Sequence, residues 1–163
     1  MLLILSGLPG TGKTTIAREV ARQTGAVHVR IDSIEQALRN AGMRVEAEGY
    51  RVGYAIAEDN LRLGRVVIAD SVNPWPLTRE AWRSVAGRAA VPHLDVEIVC
   101  SDPAVHRARA ESRAADIPGH VLPAWEDIVR RDYRGWEGER VQIDTAYVTL
   151  DEAVRRIRAT MRL

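Results

Sequence analysis

Eight consecutive residues near the start of the chain have the types and spacing that bind nucleotide phosphates. The run Gly7-Leu8-Pro9-Gly10-Thr11-Gly12-Lys13-Thr14 matches G-x-x-x-x-G-K-[ST], in which backbone N–H groups and a lysine ammonium surround phosphate oxygens. Lys13 is the only lysine among 23 basic residues, so a compact ammonium charge is kept at this position alone. The hydroxyl of Thr14 is the expected Mg²⁺ ligand. Together with Thr15, this run predicts a nucleoside triphosphate site.

The segments on either side of the glycine loop supply the context that the pattern requires. Residues 1–5 form a short apolar run typical of a buried strand. Residues 15–22 place their apolar side chains on one helical face. The order strand, glycine loop, helix favours a phosphate loop over the alternative, a chance glycine-rich turn.

Two aspartates that follow predicted strands are candidates for metal binding and catalysis. Asp70 ends an apolar strand where P-loop proteins hold Mg²⁺; the alternative is that it caps a turn. Asp32 ends an alternating strand, and its carboxylate could accept the proton of an attacking hydroxyl. The alternative is that Asp32 caps the next helix, although Ser33, at capping-box spacing from Gln36, could cap it instead. Both carboxylates are expected on the ligand-binding edge of the sheet.

An arginine-rich helix is predicted after the fourth strand. Arg109 and Arg113 are four residues apart and would share one helical face, from which Arg107 points away. Arginines on a mobile element can stabilise the charge that spreads over the γ-phosphoryl oxygens during transfer. The alternative is a solvated charged face. His106 has no evident metal partner and is left out of the predicted site.

Further residues are candidates for substrate contacts. Asn73, Trp75, Arg79, Tyr50 and Tyr54 could line a pocket for the phosphate acceptor, although aromatic residues more often fill cores. Thr145, in the Asp144-Thr145 pair, follows the last predicted strand and could approach the nucleotide base.

Length, charge and cysteine content limit the class of protein. A chain of 163 residues is long enough for one domain with its own core, so a single domain is expected over residues 1–163. The formal charge of +1 gives no global field that would draw the chain to nucleic acid or membrane. Cys100 is the only cysteine, which indicates a reducing compartment. The apolar start is too short for a signal peptide or membrane span, so a cytoplasmic protein is expected.

Strand and helix patterns alternate along the chain and predict a three-layer α/β domain with a parallel sheet. Strands are expected at residues 1–5, 27–31, 66–69, 94–99 and 141–143. The first and third are apolar on both faces and should be central, whereas the second and fifth alternate and should be edges. The fourth alternates too, which fits an interior position less well. Helices are expected from residue 33, through 50–61, over 78–88, from 103 behind an Asp102 cap, around 125–129 and through 154–157.

With these residues placed, the chain resembles the small P-loop kinases typified by the kinase domain of phage-type polynucleotide 5′-kinase. It is similar also to chloramphenicol phosphotransferase and gluconate kinase. The resemblance rests on the loop 7–14, on Asp32, on residues 70–73 and on the arginine helix. It implies strand order 2-3-1-4-5, an arginine-bearing lid over about residues 103–135, ATP with Mg²⁺, and transfer to a hydroxyl. By position, Asp32 would be the general base and Arg109 or Arg113 a lid arginine.

Three classes of function are compatible with this pattern. The favoured one is a kinase for a small metabolite, sugar, nucleoside or antibiotic. The second is a kinase for a nucleic-acid 5′-hydroxyl, which would need a basic groove with stacking aromatics; the near-zero net charge argues against it. The third is a nucleotide-dependent switch or hydrolase without an acceptor, against which Asp32 and the arginine helix argue.

Overall fold

The computed structural model describes residues 1–161, so the last two residues of the expected domain lie outside the described part. The strands are β1 (Leu2–Ser6), β2 (Val27–Arg30), β3 (Val67–Asp70), β4 (His93–Val99) and β5 (Val141–Asp144). The helices are α1 (Lys13–Thr24), α2 (Ile31–Asn40), α3 (Glu48–Arg62), α4 (Pro76–Arg88), α5 (Pro103–Ser112), α6 (Trp125–Val129) and α7 (Leu150–Thr160).

The five strands form one parallel sheet in the order β2-β3-β1-β4-β5. This confirms the α/β class and the strand order that the family resemblance implies. The apolar strands β1 and β3 lie inside the sheet, and the alternating strands β2 and β5 are its edges, as the hydrophobic pattern of each strand predicts. The carboxyl ends of β1, β2 and β3 are adjacent, so the phosphate loop, Asp32 and Asp70 lie along one edge.

Helices cover both faces of the sheet and bury two hydrophobic clusters. On one face, Leu3 and Leu5 pack with residues of α1 and α7. On the other face, Leu2 and Ile4 pack with residues of α2, α3 and α4. Because successive side chains of a strand point to opposite faces, β1 contributes to both clusters and holds the phosphate loop at the centre of the fold.

Strand β4 is interior although its sequence alternates. Asp95 and Glu97 are both buried, at 6% and 5% exposure. The guanidinium of Arg83 donates to Asp95 at 2.9 Å, and that of Arg140 donates to Glu97 at 2.6 Å. Paired charges can be buried at moderate cost. The alternation of apolar and charged residues in β4 therefore reflects ion-paired carboxylates rather than a solvent-exposed strand face.

Helix α2 begins earlier than the sequence predicts. Strand β2 ends at Arg30 and α2 starts at Ile31, so Asp32 lies in the first turn of the helix. The N-cap residue is Arg30, and no side chain caps the helix. The predicted capping box of Ser33 and Gln36 is therefore wrong, and Asp32 does not act as the cap.

Helix α5 is capped as predicted but is shorter than expected. The Asp102 carboxylate accepts hydrogen bonds from the backbone N–H groups of Ala104 and Val105. The helix ends at Ser112, and Arg113 has extended backbone angles, φ −70° and ψ 138°. The prediction that Arg109 and Arg113 share one helical face is therefore wrong, because Arg113 lies beyond the end of the helix.

Within residues 1–161, no helix combines the length and apolar character needed to cross a membrane.

Candidate active site

The phosphate loop has a backbone that only glycine tolerates at its closest contacts. Gly7 has φ +147°, and a Cβ there would lie 2.2 Å from the carbonyl oxygen of Ile98. Gly10 has φ +87°, and a Cβ would lie 3.2 Å from the Cβ of Ala110 in α5. Both positions are closed to larger residues, which keeps the loop against β4 and α5.

Lys13 and Asp70 meet at the inner wall of this loop. The Lys13 Nζ lies 3.5 Å from the Asp70 Oδ1, and the His28 Nε2 donates to the Asp70 Oδ2 at 3.1 Å. Asp70 is 2% exposed and Lys13 is 8% exposed. This buried carboxylate therefore holds the lysine beside the phosphate loop from the strand next to β1.

The protonation of Asp70 follows from these neighbours. Burial alone would raise the pKa of the Asp70 carboxyl, but Lys13, His28 and the Thr14 hydroxyl outweigh it and lower the pKa to about 2. A lowered pKa means that this carboxylate stabilises the folded chain above its ordinary pKa of 3.8. That contribution is lost as the pH falls through about 2.

The same residues fit a magnesium site. Mg²⁺ prefers oxygen ligands and usually takes one or two from protein and the rest from water and phosphate. The Thr14 hydroxyl lies close enough to Asp70 to donate a hydrogen bond to it, which stabilises the charged form of the carboxylate. These two oxygen donors would hold Mg²⁺ beside a bound triphosphate.

Thr145 connects the phosphate loop to Arg109. The Thr145 Oγ1 donates to the carbonyl oxygen of Thr11 at 2.8 Å and accepts from the Arg109 Nη1 at 2.9 Å. The Arg109 Nη2 donates to the Thr145 carbonyl oxygen at 3.0 Å. Arg109 is thereby held at the side of the cavity where the loop meets the end of β5.

His106 also contacts the phosphate loop, although the sequence offered no role for it. It is buried, its Nε2 donates to the carbonyl oxygen of Pro9 at 2.9 Å, and its ring meets Trp125 edge-on at 5.1 Å between centroids. This histidine joins α5 and α6 to the loop. A lone buried polar residue in a helix gives no sequence signal for such a partner.

A cavity of about 930 Å³ extends from the phosphate loop. The loop wall comprises Pro9, Gly10, Gly12, Lys13, Thr14 and Thr15. The wall from β2 and α2 comprises Arg30, Asp32, Glu35, Gln36 and Arg39. The wall from α5 and the segment after it includes Arg109, Arg113, Asp116 and Gly119. The phosphate loop, Asp32 and both predicted lid arginines therefore face one volume.

Asp32 is accessible inside this cavity. Its side chain is 44% exposed, and its nearest ion-pair partner is the Arg30 Nη2 at 3.9 Å from Oδ2. A carboxylate with so loose a partner has free lone pairs for another donor.

Asp116 closes the far side of the cavity by pairing with two arginines. Arg30 donates to it through both terminal nitrogens, at 2.7 and 3.0 Å, and Arg18 donates to it as well. These hydrogen bonds lower the pKa of the Asp116 carboxyl. The sequence did not identify Asp116, because its partners lie 86 and 98 positions away.

The structure places Arg79 away from the cavity. Its guanidinium donates to the carbonyl oxygens of Asn73 at 3.0 Å and Arg134 at 2.6 Å, and it lies 4.4 Å from the centre of the Trp136 ring. These contacts join the start of α4 to the segment before β5. The predicted substrate residue is thus engaged in internal contacts.

We predict that Arg79→Met lowers the free energy of unfolding by roughly 2–3 kcal/mol, since several carbonyl oxygens lose charged donors. Arg62→Met is the control, because Arg62 is exposed and only ion-pairs with Glu58. Chemical denaturation measures both. If Arg79→Met left the stability unchanged but impaired turnover of the acceptor, Arg79 would be a substrate-binding residue after all.

The other predicted acceptor residues do not line the cavity either. Tyr54 packs edge-on against Trp82 in the core, 4.6 Å between centroids, and burial raises the pKa of its hydroxyl to about 12. Asn73 is fully buried, and its amide donates to the carbonyl oxygen of Leu5 at 2.8 Å. Trp75 lies in a separate depression beside Asp132, to which its ring nitrogen donates.

Fold and site together define a nucleotide-binding protein with the P-loop kinase fold. Residues 2–132 match AAA_33, an AAA domain family, and the chain belongs to that family.

Several known proteins are similar to this chain. It is 27% identical over 135 residues to a cytidylate kinase of Ignicoccus hospitalis, covering 83% of this chain and 76% of that one. A candidate kinase from Chloroflexus aurantiacus has the same fold with TM-score 0.77 and 22% identity, covering 97% and 96% of the two chains. The APS kinase of Mycobacterium tuberculosis, solved with AMPPNP and APS, has TM-score 0.68 and 16% identity, covering 99% and 97%.

Proposed function

We propose that this protein transfers the γ-phosphoryl group of ATP to a hydroxyl group of a small molecule, with Mg²⁺. The observation that carries the proposal is that Asp32 and the phosphate loop line one cavity, with the Asp32 carboxylate accessible within it. The family and the P-loop kinase fold support ATP as the donor.

In this proposal, the loop N–H groups and Lys13 would hold the β- and γ-phosphates. The Asp32 carboxylate would accept the proton of the acceptor hydroxyl as its oxygen bonds to the γ-phosphorus. The bond from that phosphorus to the bridging oxygen then breaks, and ADP leaves. Thr14 and Asp70 would hold Mg²⁺, whose charge would offset that of the phosphates.

A lid over about residues 103–135 belongs to the proposal. Its contacts with the body of the fold include the His106 hydrogen bond to Pro9, the Arg109 hydrogen bonds to Thr145 and the Asp116 ion pairs, described above. Closure of this segment over ATP would exclude water and so protect the γ-phosphate from hydrolysis.

The test is a panel of hydroxyl compounds incubated with γ-labelled ATP, with the product linkage determined by ³¹P NMR. A phosphate ester supports the proposal. Label found only in inorganic phosphate indicates a hydrolase or switch. Label in a phosphoanhydride would indicate the second candidate, transfer to a nucleotide phosphate, which the similarity to a cytidylate kinase favours.

Asp70→Asn should raise the Mg²⁺ concentration needed for half-maximal turnover, because the amide keeps the shape but not the charge of the ligand. Asp59→Asn, a change at an exposed position in α3, should leave the Mg²⁺ titration unchanged. Identical titrations of the Asp70 variant and the wild type would return Asp70 to a purely structural role.

Arg109→Ala should slow transfer roughly 10- to 100-fold, since one charged hydrogen bond contributes about 1.5–3 kcal/mol. The matched control is Arg107→Ala, because Arg107 pairs with Glu111 on the outer side of α5 and does not line the cavity. Single-turnover rates compare the two. If Arg107→Ala is the more damaging, the assignment of the inner arginine is wrong.

A further inference from the structure

Arg113 carries buried hydrogen-bond donors that have no partner in the described part of the chain. Its Nε and Nη2 atoms are both inaccessible and unbonded. Burial lowers the pKa of the guanidinium, opposed by the nearby charge of Asp32. An arginine nevertheless keeps its charge in a protein, so unpaired buried donors of this kind are costly. A group that accepts from them would recover that cost.

Three other arginines that line the cavity have carboxylate partners. Arg18 and Arg30 both pair with Asp116, and the Arg39 Nη2 lies 3.0 Å from Glu35. Within residues 1–161, no carboxylate oxygen lies within ion-pair distance of Arg113. Arg18 and Arg30 therefore share one carboxylate, whereas Arg113 pairs with none in the described part of the chain.

The charged groups that act on Arg113 do not belong to the phosphate loop. The charges that act on it belong to Arg30, Asp32 and Asp116, on the β2–α2 wall and the segment after α5. Lys13, by contrast, meets Asp70 behind the phosphate loop. Arg109 is held beside Thr145, on the other side of that loop. A ligand group at Arg113 would therefore sit with the acceptor, next to Asp32.

An unpaired guanidinium favours an oxyanion as its ligand. Its planar fork matches a phosphate, sulfate or carboxylate through two parallel hydrogen bonds. An anion placed beside Asp32 without such a cation would repel the carboxylate, so the arginine makes the two compatible. A neutral acceptor would leave the Arg113 donors unsatisfied.

We infer that Arg113 binds an oxyanion carried by the acceptor, so that the acceptor is an anionic hydroxyl compound rather than a neutral one. The part of this inference that concerns a hydroxyl acceptor rests on the proposed function. The binding of an anion at Arg113 does not depend on it. The hydroxyl would face Asp32 while the phosphate, sulfate or carboxylate of the same molecule contacts Arg113.

The first test uses inorganic sulfate as the probe on protein already saturated with AMPPNP and Mg²⁺. Because the nucleotide fills the phosphate loop, sulfate should bind at the second site, and Arg113→Gln should weaken it roughly 10- to 100-fold. Arg107→Gln should leave it unchanged. Absence of sulfate binding, or equal affinity in the Arg113 variant, overturns the inference. So does a loss of AMPPNP affinity in that variant, which would assign Arg113 to the γ-phosphate.

The second test uses matched acceptors: a nucleoside against its 3′-phosphate, and glucose against gluconate. The anionic member of each pair should have the larger kcat/KM, and Arg113→Gln should abolish the difference. The pair that shows the preference tells whether Arg113 recognises a phosphate or a carboxylate. Preference for the neutral members overturns the inference but leaves the proposed function intact. Sulfate binding at Arg113 without transfer to any hydroxyl has the opposite meaning: the anion site stands and the proposed function fails.

Discussion

Asp32→Asn should slow phosphate transfer by roughly 10²–10⁴-fold while ATP affinity stays unchanged. The asparagine keeps the size of the side chain but cannot accept the hydroxyl proton. ATP binding should be spared because the phosphates are held by the loop and Lys13. Single-turnover transfer and calorimetric titration with AMPPNP measure the two quantities separately.

The structure also limits what Asp32→Asn should do to stability. Asp32 lies in the first turn of α2 and does not cap it, so the loss of its charge removes a loose, exposed ion pair with Arg30, which contributes little, and a favourable interaction with the helix dipole. That interaction contributes about 0.3–1 kcal/mol. Full transfer activity combined with a larger loss of stability would show that Asp32 is structural.

Lys13→Ala should weaken ATP binding on the order of 10²–10³-fold, the usual cost of removing one partner from a buried charge pair. The variant should also unfold more easily, because Asp70 loses one of the three groups, Lys13, His28 and the Thr14 hydroxyl, that offset its burial. Calorimetry measures the affinity, and circular dichroism confirms that the variant is folded.

Arg22→Ala is the control for Lys13, since Arg22 lies on the same helix, is 71% exposed and pairs only with Glu19. It should leave ATP affinity within about twofold of wild type, because an exposed ion pair contributes little. Equal ATP affinity in the wild type and a folded Lys13→Ala variant would contradict a phosphate-binding role for the loop.

The architecture could be predicted because its signals are local. The apolar runs of β1 and β3, the glycine loop and the Asp102 cap are each contained within a few residues. The strand order followed from the family resemblance, and the sheet has that order. The position of β4 was harder to predict, because Asp95 and Glu97 are buried only through arginines from other elements.

The contacts of two predicted substrate residues could not be read from the sequence, because they join distant parts of the chain. Arg79 and Tyr54 have the residue types of substrate contacts, but the first bonds a segment about 55 positions away and the second packs in the core. His28 was missed although the strand order contains the signal. It lies on β2, beside β3, and points to the same face of the sheet as Asp70.

A crystal structure of the protein with AMPPNP and Mg²⁺ would place the phosphates relative to Lys13 and Asp32. We expect the β- and γ-phosphates within hydrogen-bonding distance of the Lys13 Nζ, with Mg²⁺ beside Thr14 and Asp70 and the γ-phosphorus facing Asp32 across the cavity. A nucleotide bound elsewhere, or a γ-phosphate turned away from Asp32 in the closed complex, would contradict this expectation.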